Sequence, residues 1–358
     1  MLKLSSFILC ILLSSTCLSY EKADPLDGSR NLMLYLDFVY LQRQAKIQER
    51  CIVKVEDGLP EGIAPGIVPD PNNPGFNIEE PIPSSCQRGK CKVTTKDLLH
   101  NQGFDPGFRA TADYMPNKKV TLQATYTGLL DWRGTRSANC PDSLEFPFQD
   151  GLNNTVDYQN ANIMRTSLRS TYWNLEANYW YHVTPRRIDE FAFAWLFGFR
   201  YLNFRENFHL KTITNTQSSD FKINVKNRMG GLQLGVNFEG NLGPNFTWGI
   251  QPKLGAIVDF AENHTVLKDN NNTSTLKSYN PSDFFMSFVG DFSTYFLFNL
   301  YKNLIFKFSY EVTYASNIAL ALNQIDFRED NIADIQTHVE SGGSLMLQGL
   351  YISFGINF

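Results

Sequence analysis

The sequence predicts an all-β fold: a transmembrane, antiparallel, up-and-down β-barrel of about ten strands with long extracellular loops. Three observations predict it. Apolar and polar residues alternate over segments of about ten residues or more, the connections alternate between short and long, and the chain closes on Phe358 at the end of an alternating aromatic segment. Composition agrees. With 28 Phe, 16 Tyr and 5 Trp in 358 residues the chain is too aromatic for disorder. At 19% charged residues and a mean hydropathy of −0.26 it is too polar for a bundle of membrane helices. A formal charge of −4 carries no basic excess, so no nucleic-acid partner is expected.

The amino terminus sets the route. Lys3 precedes the apolar run from Phe7 to Leu13, and small residues follow around Cys17-Leu18-Ser19. This is the layout of an export signal over 1–19, cleaved after about Ser19, leaving 20–358 as one barrel domain. A lipid anchor on Cys17 is disfavoured, because Ser14-Ser15-Thr16 lacks the usual leucine and small-residue pattern. No later stretch reaches 18 consecutive apolar residues, so a chain entering a membrane must do so as strands.

The crossings follow in order: 31–42, 107–116, 119–132, 164–183, 190–214, 220–240, 246–268, 282–300, 303–318 and 342–358. In the first, Leu32, Leu34, Leu36, Phe38 and Tyr40 share one face opposite Tyr35 and Asp37. The fifth is the clearest. Phe191, Phe193, Trp195, Phe197, Phe199 and Tyr201 line one face, opposite Ala192, Ala194, Gly198 and Arg200. A helix would scatter these rings, whereas a strand aligns them. The last places Leu350, Ile352, Phe354, Ile356 and Phe358 opposite Tyr351, Ser353, Gly355 and Asn357. Pro252 would sit inside the seventh crossing without an N–H, so a bulge is expected there.

Short connections carry turn residues such as Pro116-Asn117-Lys118, Asn241 to Asn245 and Tyr301-Lys302-Asn303. The long ones, 43–106, 133–163, 215–219, 269–281 and 319–341, then all face outward. Ten is an even number, as single-chain bacterial barrels have, and it places both termini on the periplasmic side. Twelve follows only if 43–106 hides a hairpin near 51–56 or 91–95. That segment holds eight of the 16 prolines and is far longer than ordinary connections, which marks it as a functional plug, an outer cap or a disordered loop. The aromatic strand ending at Phe358 resembles the assembly signal read by barrel-assembly machinery. Tyr40, Trp173, Tyr201, Trp248, Tyr314 and Phe358 fall near row ends, where interfacial rings belong.

Four blocks carry a family resemblance: LRSTYWNLEAN at 168–178, FGFRYLNFRE at 197–206, VKNRMGGLQLGV at 225–236 and KLGA at 253–256. In this order and spacing they resemble the outer-membrane β-barrel porin family of the planctomycete/chlamydia type, over roughly the middle quarter of the chain. Asn203-Phe204-Arg205-Glu206 departs from that family, which has an acidic pair there. The resemblance implies an outer-membrane location and a pore, and it brings no catalytic residues.

The candidate pore-lining charges are Asp37, Asp113, Glu176, Glu239, Asp259, Asp291 and Glu311 against Arg109, Arg200, Lys253 and Lys307. They fit either a paired network filling a narrow barrel or a narrow, weakly cation-selective pore. The expected function is therefore a porin-like passive channel for small solutes or ions in the bacterial outer membrane. The alternative is a closed-lumen structural or adhesive surface barrel. Outer-membrane lipid is the expected surrounding, and a homo-oligomer is compatible with the fold.

The four cysteines beyond the signal, Cys51, Cys86, Cys91 and Cys140, lie in the first two outer loops. In an exported chain they read as two disulfides with three possible pairings, Cys86–Cys91 being favoured. Without a histidine at ligand spacing, a metal site is not expected, nor is any cofactor. His209, Asp259, Glu262 and His264 near the outer rim are the residues an outer-membrane protease or lipase would draw on. Rim polarity explains them without chemistry, so no enzyme is expected.

Overall fold

The computed structural model describes residues 32–55, 67–69, 77–79, 86, 89–100, 102–146, 156–184, 191–243, 245–269, 271–301, 303–325 and 337–358. The expected signal segment and its cleavage point lie outside them. Ten strands form the barrel: β1 (Leu32–Lys46), β2 (Phe104–Asn117), β3 (Val120–Glu145), β4 (Ala161–His182), β5 (Phe191–Ile213), β6 (Ser218–Gly243), β7 (Phe246–Asp269), β8 (Ser282–Tyr301), β9 (Leu304–Ile318) and β10 (Gly343–Asn357). Each pairs antiparallel with its sequence neighbours, and β1 pairs with β10 through Phe38↔Ile352, which closes the ring. Closure leaves no free edge, the condition for a sheet in lipid. The Phe358 N–H donates to the Leu32 carbonyl at 2.9 Å, so the start of β1 and the end of β10 are tied at the same rim.

The short strands Cys51–Val55 and Cys91–Thr94 do form a hairpin with each other, but only Cys51–Val55 meets the wall, pairing with the far end of β3. They sit outside the barrel wall, so the count is ten and not twelve. Strand Ser274–Tyr279 likewise pairs only with the far end of β7.

The exterior is built for lipid. Phe191, Trp195, Phe197 and Phe199 on β5, Leu232 and Leu234 on β6, and Phe284, Met286 and Phe288 on β8 are all exposed. Rings bound this band. Tyr40 stacks on Phe104 at 5.0 Å and Trp173 lies 5.3 Å from Tyr201 on the outer side, while Phe191 meets Trp248 edge-on at 6.4 Å on the periplasmic side. Such girdles mark the two interfaces of a membrane barrel.

Two expectations about strands are corrected. The connection 133–163 is mostly strand, because β3 runs 26 residues, to Glu145. About 9–11 tilted residues cross a bilayer, so β3 to β7, each at least 22 residues long, rise well beyond it on one side of the barrel. At Pro252 there is no bulge. Pairing with β8 continues through Pro252↔Phe292, and the ladder with β6 skips from Gly235↔Lys253 to Phe238↔Ile250 in unchanged register. The missing N–H is absorbed by a gap in one ladder. A register shift occurs instead between Thr127 and Leu130 in β3, where Leu129 adopts φ 62°. The extra residue moves the inward-facing set from odd to even positions and so turns Leu130 and Trp132 into the lumen.

The disulfides are Cys51–Cys91 and Cys86–Cys140, not Cys86–Cys91. Cross-strand pairing of Cys51–Val55 with Cys91–Thr94 brings the first two together, and β3 carries Cys140 up to the loop. The expected Cys86–Cys91 pair does not form, because Cys91 is taken by Cys51 on the neighbouring strand.

Candidate functional site

The inward face was expected to be the functional one, and it is stacked in layers. Nearest the periplasm is an open vestibule of about 190 Å³, lined among others by Asp37, Arg109, Asp113, Glu176, Glu239, Lys253, Asp291, Lys307 and Glu311. Alternation brings these groups here: each stands on the buried phase of its strand, near the short turns. Within it the Tyr295 hydroxyl donates to Glu239 Oε1 at 2.7 Å, and Gln123 Nε2 donates to Asp113 Oδ1 at 3.0 Å.

The roof of the vestibule is ionic. Arg109 donates from both terminal nitrogens to the two oxygens of Glu311, each at 2.7 Å, and its guanidinium lies 4.0 Å from the Tyr351 ring. Beside it Arg200 binds Glu176 at 2.7 Å and also pairs with Asp291, while Lys253 reaches Glu176 at 2.9 Å and Asp291 at 3.6 Å. Glu176 also accepts from Asn174, Asn178 and Gln233. Gly198 makes room for this network, since a Cβ there would stand 2.1 Å from Asn178 Oδ1. Three carboxylates face three cations in closed groups. The vestibule proper keeps Asp37, Asp113 and Glu239 with Lys307 and, at the rim, Lys118.

Arg200 lies above the vestibule, lining a cavity of only about 10 Å³ with Tyr172 and Tyr351. Asp259 lines neither cavity. It stands at the level of the next layer, opposite Met229 in the ladder, and is fully buried. That layer is apolar. Leu41, Leu130, Trp132, Tyr172, Phe204 and Met229 fill the lumen there, and every strand except β2 contributes to the cluster. The Trp132 indole N–H donates to the Leu41 carbonyl at 3.0 Å, pinning the ring across the bore.

Higher still is a polar layer that sequence reasoning missed. Arg43 pairs with Glu206 and donates to Gln102 Oε1, all buried, and Glu206 Oε2 accepts the Ala321 N–H at 2.7 Å. The signal was present: Arg43 continues the inward phase of β1, and Glu206 that of β5. The first expected strand stopped one residue short, at 42.

Two outer loops complete the closure. Helix α1 (Thr95–His100) places Leu98 in a second buried cluster with Ile52, Val53, Leu144 and Phe208. It seats against Gly134, where a Cβ would meet the Leu98 carbonyl oxygen at 2.1 Å. Residues 319–325 of the last outer loop enter from the other side, and Ala319 to Leu322 and Ile325 are buried. The described part of 43–106 thus folds onto the barrel mouth.

The rim residues considered for catalysis are not brought together. His209 bonds Asp220 at 2.8 Å on the outer wall, and Glu262 bonds Arg228 at 3.1 Å on the same wall, two strands from His209. Asp259 faces the opposite, inner side. Among the described residues no group of three or more His, Cys, Asp or Glu side chains is arranged to hold a metal ion.

No protein-family model matches the chain, and no curated protein matches it either. Solved structures similar to it include the outer membrane protease OmpT from Escherichia coli, 9% identical, with 96% of this chain and 100% of that one covered at a TM-score of 0.47. The translocator domain of autotransporter NalP from Neisseria meningitidis is 11% identical, covering 99% and 96% at 0.35. The outer membrane protein OprG from Pseudomonas aeruginosa is 10% identical, covering 93% and 98% at 0.29. Values this low assign neither a family nor an activity.

Proposed function

We propose that the protein is a closed-lumen barrel of the bacterial outer membrane, a structural or binding protein of the cell surface. It would be exported by its amino-terminal segment, assembled through the strand ending in Phe358, and presented outward on the raised part of the sheet. One observation carries the reading: the apolar layer around Trp132, Phe204 and Leu347 is supplied by all strands but β2 and spans the bore between two buried ion-pair layers. Ions do not cross such a layer without its opening, because an unpaired charge in an apolar bore costs several kcal/mol. The reading is non-enzymatic, since the rim groups are spread over two faces of the sheet.

Planar-bilayer recording of the refolded full chain tests it. A membrane that stays silent while protease protection proves insertion is the expected result. A reproducible single-channel step from the unmodified protein would overturn it.

A second reading, gated passage of small solutes or ions, is favoured by one feature: part of the seal is loop 319–325 and not wall. The resemblance of the four sequence blocks to planctomycete/chlamydia-type porins supports it too. If steps are seen, replacing Glu176, Glu239 and Glu311 with Gln should lower cation preference. Unchanged reversal potentials would remove these carboxylates from the conduction path.

A further inference from the structure

The outer wall of the raised sheet carries a surface that the lumen does not explain. Trp173, Asn203, Arg228, Phe260 and Phe284 form one continuous cross-strand row at the outer aromatic level. The next row outward places Arg205 directly opposite Lys226, and the one beyond places Arg133 directly opposite Arg169. Like charges in directly opposed positions destabilise a sheet, yet two such pairs stand in successive rows, one on β5 and β6 and the other on β3 and β4. Higher up Arg165 again faces Lys211.

Internal carboxylates answer only part of this charge. Asp131 takes Arg133 at 2.8 Å and Arg169 at 2.7 Å, and Glu262 takes Arg228 at 3.1 Å with Lys226 at 4.0 Å. A third carboxylate nearby, Asp105, is occupied by the Asp131 backbone N–H at 2.6 Å. Among the described residues five cations therefore meet two available carboxylates, and Arg205 has only the Asn203 carboxamide, at 3.1 Å. The opposite wall at the same level is neutral: Gln42 and Gln348 bond each other there at 3.3 Å, and Tyr310 bonds Gln348 at 3.2 Å. The basic surface belongs to one side, β3 to β6.

Its height selects the partner. Successive outward residues on a tilted strand climb about 5 Å per pair, so the Arg205–Lys226 row lies about 5 Å, and the Arg133–Arg169 row about 10 Å, above the aromatic row. The lower row stands within the headgroup zone of the outer leaflet, about 7 Å deep, and the long side chains of the upper row reach down to it. We propose that this wall binds the phosphate groups of an anionic outer-leaflet glycolipid, its acyl chains lying along the exposed rings and aliphatic side chains below and its phosphates between Arg169, Arg205 and Lys226. Guanidinium pairs present the forked donors that phosphate oxygens accept.

The test uses the full chain in neutral detergent, titrated with a bis-phosphorylated, acylated glucosamine disaccharide and read by native mass spectrometry. The triple variant R169Q/R205Q/K226Q is expected to bind about a hundredfold more weakly. A loss below about tenfold overturns the proposal. Removing both phosphates from the glycolipid should weaken binding to the unmodified protein similarly, an arm that needs no variant to fold. Equal binding of the two glycolipids overturns the proposal. Displacement of the glycolipid by millimolar inorganic phosphate does so as well, by showing a site for free anions.

Discussion

Asn227, on the inner face of β6, holds the backbone of Ala319 with both ends of its carboxamide. Its Nδ2 donates to the Ala319 carbonyl, and its Oδ1 accepts the Ala319 N–H, each at 2.9 Å. The side chain imitates a strand, and it docks the loop at 319–325 into the lumen where no strand is free to do so. Both partners are fully buried, so water does not compete for the bonds.

Replacing Asn227 with Ala should release this loop. Two buried backbone groups lose their partner, at a cost of about 2–4 kcal/mol. Amide exchange at Ala319 and Ala321 is expected to accelerate at least tenfold, with the barrel amides unchanged. Leak currents should appear in N227A bilayers that the unmodified protein leaves silent. Exchange at the unmodified rate would show that Asn227 does not hold the loop.

Arg43 and Glu206 form a buried pair whose acid also accepts the Ala321 N–H. Arg43→Ala is expected to destabilise the folded barrel by about 3–5 kcal/mol, because Glu206 is left charged and without its cation. The double variant R43M/E206Q should recover part of this, since no lone charge remains. Urea unfolding in micelles reads both, and a double variant worse than R43A would contradict the pairing.

Non-reducing peptide mapping should recover Cys51–Cys91 and Cys86–Cys140. Each closes a loop of tens of residues, so losing either costs about 2–4 kcal/mol of cap stability. Because both lie in the outer cap, reduction should expose 86–100 to protease while the membrane band keeps its strand signal. A recovered Cys86–Cys91 peptide would contradict the hairpin that aligns the other pair.

Helix α1 begins with a reciprocal cap outside the membrane: Thr94 N–H donates to Asp97 Oδ2 at 2.8 Å, and Thr94 Oγ1 accepts the Asp97 N–H at 3.1 Å. That backbone bond holds the Asp97 carboxyl below the usual carboxylate range. A depressed value means the cap is fully stabilising above the ordinary carboxylate pKa of about 4 and is lost as pH falls through the folded value. The carboxyl carbon shift of Asp97 should therefore titrate below about pH 4. A midpoint at or above the ordinary value would rule the cap out.

Asp37, Glu176, Glu239 and Lys253 were readable as inward-facing because a side-chain period of two sorts each residue to one face without knowledge of any partner. The same rule, carried past residue 42, reaches Arg43. It fails where the phase changes: the extra residue at Leu129 leaves no mark in the apolar pattern, so the inward turn of Trp132 was not legible. The disulfide pairing failed for a related reason, since it depends on a hairpin that joins residues 40 apart.

Strand class, the count of ten and the lipid-facing rows follow from local patterns: the alternation that each strand carries in its own residues and the turn residues between strands. Whether the bore is open does not. That was decided by residues brought together from distant parts of the chain: Asn227 on Ala319, Leu98 against Gly134, Arg43 on Glu206. Each is a contact between a wall and a loop, or between opposite walls. Periodicity fixes the face a side chain takes, and only the closed fold sets what it meets across the lumen.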